Sequence, residues 1–201
     1  AYIPGPGDSV AESLASVGYD VTLLPEERLA HEQLARFDAI VVGVRAYNAN
    51  PRLGAHRDRL MKYVEDGGRL VVQYNTNSRV GPLTVDVGPF PLEIGRDRVT
   101  DETATMNAID AKEPLLAGPN KIDARDFDGW VQERGLYFAT TWDPRYRPVF
   151  RMNDEGEAPL EGALLVAAPG AAQPAATDSV LPPAPTYQVL RFEEDWGAYG
   201  A

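Results

Sequence analysis

The sequence predicts an α/β domain built on an open, doubly wound parallel sheet. Three observations carry this expectation. Residues 1–76 alternate short apolar runs with amphipathic stretches. Two of those runs, 39–44 and 70–72, are apolar at every position except a glycine, as in strands covered on both faces. The spacers between runs are long enough for crossover helices, which join parallel strands with right-handed geometry.

Each element follows from its residues. Tyr2 and Ile3 end a first strand, and Pro4-Gly5-Pro6-Gly7 makes the turn after it. Asp8 is placed to cap a helix in which Val10, Leu14 and Val17 recur at helical spacing, until Gly18 stops it. Residues 21–24 read as a short second strand, and 26–36 as a polar helix with Leu29 and Leu34 facing inward. The third strand is 39–44. A helix over 52–66 lines up Leu53, Leu60, Tyr63 and Val64, Gly67 and Gly68 end it, and the fourth strand starts at Leu70. From 78 to 95 prolines and glycines break the pattern into loop and short extended pieces. Residues 122–130 predict a turn and short helix, and 136–140, 148–152 and 163–166 predict strands. The domain therefore runs over 1–167. Residues 168–186, dominated by Ala and Pro, read as a linker, and 187–201 as a short, irregular, acidic and aromatic C-terminal tail.

Composition removes several functions. The net charge is −11, from 30 acidic against 19 basic residues, and the bases are scattered. Such a surface repels a phosphate backbone, so no nucleic acid is expected as a partner; solubility is the simplest use of the charge. There is no cysteine, which excludes disulfides, thiolate metal sites and thiol nucleophiles. No run approaches the ~20 apolar residues of a membrane span, so none is expected. The chain opens on Ala-Tyr-Ile without Met, already within a strand, which predicts a fragment or processed product and leaves the compartment open.

In an open parallel sheet, ligands bind beyond the carboxyl ends of the strands. Three segments fall there. Pro4 to Asp8 invites a phosphate-loop reading, but prolines interrupt its glycines and no Gly-Lys-Ser/Thr follows. Arg45, Tyr47 and Asn48 follow the third strand, and Gln73 and Asn75 the fourth; amides, a phenol and a guanidinium suit a polar ligand such as a sugar. The same groups also suit the plainer task of satisfying loop backbone and capping helices. His31 and His56 have no second ligand at metal spacing, and no Gly-x-Ser-x-Gly elbow exists. The acidic turn at 154–157 lacks the ligand spacing of a calcium loop. Residues 126–138 and 142–146 hold two of the three tryptophans, with arginines and acids, either as an aromatic cluster pinned by ion pairs or as a sugar platform. The candidate ligand-binding set is thus Arg45, Tyr47, Asn48, Gln73, Asn75, Trp130, Glu133 and Arg134. No catalytic residue, metal ligand or cofactor is expected; the alternatives are a carboxylate-dependent hydrolase using Asp101 and Glu133, and a purely structural interaction module.

The stretches 37–48 (Phe-Asp-Ala-Ile-Val-Val-Gly-Val-Arg-Ala-Tyr-Asn), 67–76 (Gly-Gly-Arg-Leu-Val-Val-Gln-Tyr-Asn-Thr) and 126–138 with 142–146 resemble one region of a known family. It is the C-terminal amidotransferase-like domain of large bacterial PIG-L (LmbE-like) deacetylases; residues 96–102 and 114–116 also fit. The resemblance covers 1–167, and Gly-Trp-Val-Gln-Glu-Arg-Gly-Leu-Tyr-Phe at 129–138 is its most specific part. More distantly, the chain is similar to ThuA-like trehalose-utilisation proteins. The resemblance implies a flavodoxin-like (class I glutamine amidotransferase-like) open parallel sheet with helices on both faces. It implies a non-catalytic accessory domain that binds carbohydrate or packs on a PIG-L catalytic domain, in a parent family that is exported or periplasmic. The zinc-dependent removal of N-acetyl groups belongs to a separate N-terminal domain whose His-x-Asp-Asp type motif does not occur here. Amidotransferases carry a nucleophilic Cys at the place that falls here on Tyr74 or Asn75, neither of which replaces a thiolate. Beyond residue 167 the chain leaves the family pattern, which suggests a truncated or chimeric reading frame.

Overall fold

A computed structural model describes residues 1–79 and 82–168 in full and residues 187 and 188 as backbone. The expected linker therefore lies outside the described residues apart from Ala168, and the expected tail apart from residues 187 and 188.

Along the first part run β1 (Tyr2–Ile3), α1 (Val10–Ser16), α2 (Glu26–Leu29), β2 (Ala39–Val42), α3 (Ala46–Ala49), α4 (Arg57–Glu65) and β3 (Arg69–Val72). β4 (Leu92–Ile94), β5 (Arg98–Val99), β6 (Asn107–Ala108), α5 (Pro114–Ala117), β7 (Gly135–Leu136), β8 (Ala139–Trp142), β9 (Tyr146–Pro148), β10 (Phe150–Arg151), β11 (Leu165–Ala167) and β12 (Tyr187–Gln188) complete the order. The main sheet runs β1-β2-β3-β12-β11-β9. Its β1, β2 and β3 are parallel, with Tyr2 opposite Val41 and Ile40 opposite Leu70. β12 pairs parallel to β3 and antiparallel to β11, which also pairs antiparallel to β9. Three two-stranded antiparallel ribbons, β10-β6, β4-β8 and β5-β7, surround it.

Two cores flank the sheet. Leu29, Leu34, Leu53, Leu60, Tyr63 and Val64 pack on Ile40, Val42, Leu70 and Val72 in the first. Val99, Leu116, Phe138, Val149, Phe150 and Met152 form the second. β11 divides them: Leu165 and Ala167 belong to the first core and Val166 to the second, because successive strand residues point to opposite faces. The sheet is less sealed than the unbroken apolar runs predict. In β2 and β3, Ile40, Val42, Leu70 and Val72 are buried, whereas Ala39, Val41 and Val71 are half-buried.

Several elements differ from expectation for physical reasons. The helix predicted over 26–36 is broken into α2 and a 3-10 turn at Leu34–Arg36. Leu29 and Leu34 stand five apart, about 140° around an α-helix, so burying both requires the break. The helix predicted over 52–66 starts as a 3-10 segment, Pro51–His56, whose first N–H bonds are taken up by Asn50 (Arg52 N to Asn50 Oδ1, 3.1 Å). The second strand shrinks to a single parallel bridge, Tyr2 to Leu23. The strand predicted over 136–140 is split into β7 and β8 by Tyr137, whose φ of +55° no strand allows. Asp8 is not the cap of α1; Ser9 holds that position without a side-chain bond, and Asp8 turns back to β1.

The ribbon region is tied together by one carboxylate. Asp154 accepts from Thr100 N (2.9 Å), Thr100 Oγ1 (2.8 Å) and Asp101 N (2.8 Å). The backbone N–H of Asp101, then that of Thr100, hold its carboxyl below the ordinary carboxylate range. A depressed folded value means its contribution is complete above the unfolded carboxylate pKa of about 3.9 and is lost as pH falls through the folded value. The protection factors of the amides at residues 100 and 101, which allow for the intrinsic pH dependence of exchange, are therefore expected to fall only as pH drops below about 4. In Asp154→Asn they should already be low at neutral pH and show no such step.

Candidate functional site

The carboxyl ends of β1, β2 and β3 meet at one edge, and the side chains there bind one another. After β1, Asp8 Oδ2 accepts the Gly5 N–H (3.0 Å) and its Oδ1 accepts the Tyr2 hydroxyl (2.5 Å). Tyr2 Oη also lies 3.2 Å from Gln73 Oε1. The Gly5 N–H that a phosphate loop would need is thus already spent on Asp8. Gln73 is 1% exposed, its own N–H extends the ladder to Val42 O (2.9 Å), and its carbonyl accepts from Asn75 Nδ2 (2.9 Å).

The loop after β2 is fastened to the loop after β3. Arg45 adopts φ +54° ahead of α3 and donates its N–H to Tyr74 O at 2.7 Å. A left-handed non-glycine residue costs about 1–2 kcal/mol, and this bond helps to hold it. Asn48 forms a reciprocal pair with Thr76: Nδ2 donates to Thr76 O and Oδ1 accepts from Thr76 N, both at 2.8 Å. Asn48→Ala removes both bonds and is expected to lower stability by about 2 kcal/mol, read from the urea midpoint. A change under a few tenths of a kcal/mol would mean that the two loops are not coupled. Tyr47 is buried, and burial pushes its phenol up to about 12, so it remains neutral. Its hydroxyl and Asn75 Oδ1 find no hydrogen-bond partner among the described residues.

Trp130, Glu133 and Arg134 stand elsewhere. Arg134, 8% exposed, donates from Nε to Ala104 O (2.9 Å) and from Nη1 to Phe127 O (3.2 Å), and its guanidinium lies 5.5 Å from the Trp130 ring centre. Phe127 meets Trp130 and Phe150 edge to face. This is an aromatic cluster pinned by a cation that bonds carbonyls rather than acids. Of the eight candidates, Gln73 and Asn75 line a small cavity with Tyr74, Leu92, Ile94 and Tyr137, and Trp130, Glu133 and Arg134 do not. Arg45, Tyr47 and Asn48 are likewise not among the residues that line this cavity.

Among the other sequence candidates, His56 pairs with Glu26 at 2.7 Å, whereas His31 is exposed. Asp101 accepts the Thr103 N–H (2.8 Å) and hydroxyl (2.6 Å), which hold its carboxyl below the ordinary range, an environment ill suited to a proton donor. Among the described residues, no group of three His, Asp or Glu could hold a metal ion, and no helix is long and apolar enough to cross a membrane. Sequence reasoning missed Tyr2, Asp8 as a latch, and Tyr137. Asp8 carried a usable signal, an acid in the loop after the first strand; nothing in the residue type of Tyr137 announces a positive φ. Comparison with protein-family models, curated proteins and solved structures found no match.

Proposed function

We propose that this chain is a flavodoxin-like, class I glutamine amidotransferase-like accessory domain of a PIG-L type N-acetyl-sugar deacetylase. It acts without chemistry of its own, by packing on the catalytic domain. One observation carries the reading. At the edge where such sheets build active sites, the polar groups of Tyr2, Asp8, Asn48 and Gln73 are engaged with each other and with backbone. Reacting groups have to be free to meet a substrate, and these are committed to holding loops. The start of the strand succession is compatible with the finer fold: with the Leu23 bridge counted as the second strand, the sheet begins 2-1-3-4, as in the flavodoxin arrangement, and then continues through β12, β11 and β9. At the position of the amidotransferase nucleophile the chain has Tyr74 and Asn75, and it contains no cysteine.

Carbohydrate contact is a second reading, favoured by Trp130, a residue 38% exposed beside Arg134. Calorimetry with a separately expressed PIG-L type deacetylase domain, and then with N-acetylated and plain oligosaccharides, separates the two. The packing reading expects a complex between the proteins and silence from the sugars. Glutamine hydrolysis by the purified chain, or no association with the deacetylase domain, overturns it.

A further inference from the structure

The sheet edge leaves one feature that the accessory reading does not use. Behind Gln73 and Asn75 lies a cavity of about 40 Å³, lined mainly by aliphatic and aromatic side chains that include Leu92, Ile94, Leu136 and Leu165. Asn75, 3% exposed, is among its lining residues. The orientation of its amide is fixed, since Nδ2 donates to Gln73 O at 2.9 Å and a flip would set oxygen against oxygen. Oδ1 is then the buried atom without a partner among the described residues, and a buried acceptor in that state costs free energy until a donor reaches it.

The volume admits about three water centres by the usual requirement of roughly 10–15 Å³ each. A buried water wants two to four polar partners, and among the described residues this lining offers one fully buried orphan acceptor, Asn75 Oδ1, amid mostly carbon. Waters could occupy the space but would be poorly bonded. A group that fills the carbon-lined part with its own carbon and offers a single donor meets both demands. Strain on the wall fits a shaped site: Tyr137 is held at φ +55° with its ring 5.9 Å from that of Tyr74.

We infer that this cavity is a binding subsite for a small uncharged group that joins one N–H or O–H donor to a short apolar body, with Asn75 Oδ1 as the acceptor. Simple carboxamides and short alcohols are the matching class. The inference goes beyond the accessory-domain reading and does not depend on it, because it can hold whether or not a deacetylase domain is bound.

Acetamide and acetone provide the test, since they share shape and heavy-atom count and differ in the N–H donor. In a ¹⁵N/¹³C NMR titration, acetamide is expected to shift the Asn75 side-chain amide and the Ile94 and Leu165 methyls saturably. Its dissociation constant should be on the order of 1–10 mM, a reasonable strength for so few atoms, and acetone should bind at least tenfold more weakly. Asn75→Leu should remove the acetamide preference. Because that variant also loses the Gln73 contact, Ala163→Leu, which narrows the cavity from another wall, should abolish binding with Asn75 intact. Equal response to both probes, or no saturable response to acetamide in the unaltered chain, overturns the inference.

Discussion

Gly5→Ala is expected to destabilise the fold by about 3 kcal/mol or more, one of the largest effects available to a single methyl group in this chain. A Cβ at Gly5 would stand 2.0 Å from Val44 O and 2.9 Å from Val44 C, both backbone atoms, and 2.5 Å from Asp8 Oδ2. Side chains can swing aside, but here the loop after β2 would have to retreat. That movement would pull on Gly43, whose own Cβ position meets Tyr2 Oη at 2.5 Å, Asp8 Oδ2 at 2.7 Å and Gly5 N at 2.7 Å. Gly7→Ala is the control. Gly7 has open space around it and φ +71°, so its cost is conformational only, about 1–2 kcal/mol. Urea unfolding of the two variants separates these causes, and a Gly5 variant no worse than the Gly7 variant would show that the two loops are not in close approach.

Arg134→Ala is expected to cost about 3 kcal/mol, because hydrogen bonds from a charged donor contribute roughly 1.5–3 kcal/mol and their loss leaves inward-facing carbonyls unpaired. The guanidinium bridges Ala104 O and Phe127 O while covering part of Trp130. It thus ties the loop after β5 to the 3-10 turn at Ala124–Phe127, and the ring cluster of Phe127, Trp130 and Phe150 rests on that tie. Arg134→Lys keeps the charge but not the planar fork, so it should recover less than half of the loss. Near-ultraviolet dichroism and Trp fluorescence should report a loosened Trp130 in the Ala variant before the main sheet unfolds. If both variants match the unaltered chain, Arg134 is a passenger in a cluster held by its rings alone.

Elements with a strong local signal were readable without coordinates. The apolar runs at 39–44 and 70–72 became β2 and β3, and Gly67 ends the helix before β3 at φ +102°. Leu53, Leu60, Tyr63 and Val64 were all assigned inward and all are buried. The candidate site was legible as a list of residues but not as a place. Arg45, Tyr47, Asn48, Gln73 and Asn75 gather at one edge, yet apart from Tyr47 Oη and Asn75 Oδ1 they are tied mainly by hydrogen bonds within that edge. An amide looks the same in a sequence whether it faces a ligand or a neighbouring carbonyl. By residue type Trp130 and Arg134 suit a pinned cluster or a sugar platform, and the carbonyls of Ala104 and Phe127 fix the geometry that Arg134 adopts.

By itself the sequence determined the parallel α/β beginning, the acidic surface and the lack of any thiol chemistry, because periodicity, charge and composition are local or additive properties. Only the tertiary structure decided that Asp8 latches β1 instead of capping α1, that Gly5 is a point of contact as well as a turn, and that Asn75 is left with an unpaired oxygen beside a cavity. Those outcomes depend on which atoms come within about 3 Å of each other once the loops are folded, a distance that no pattern along the chain encodes.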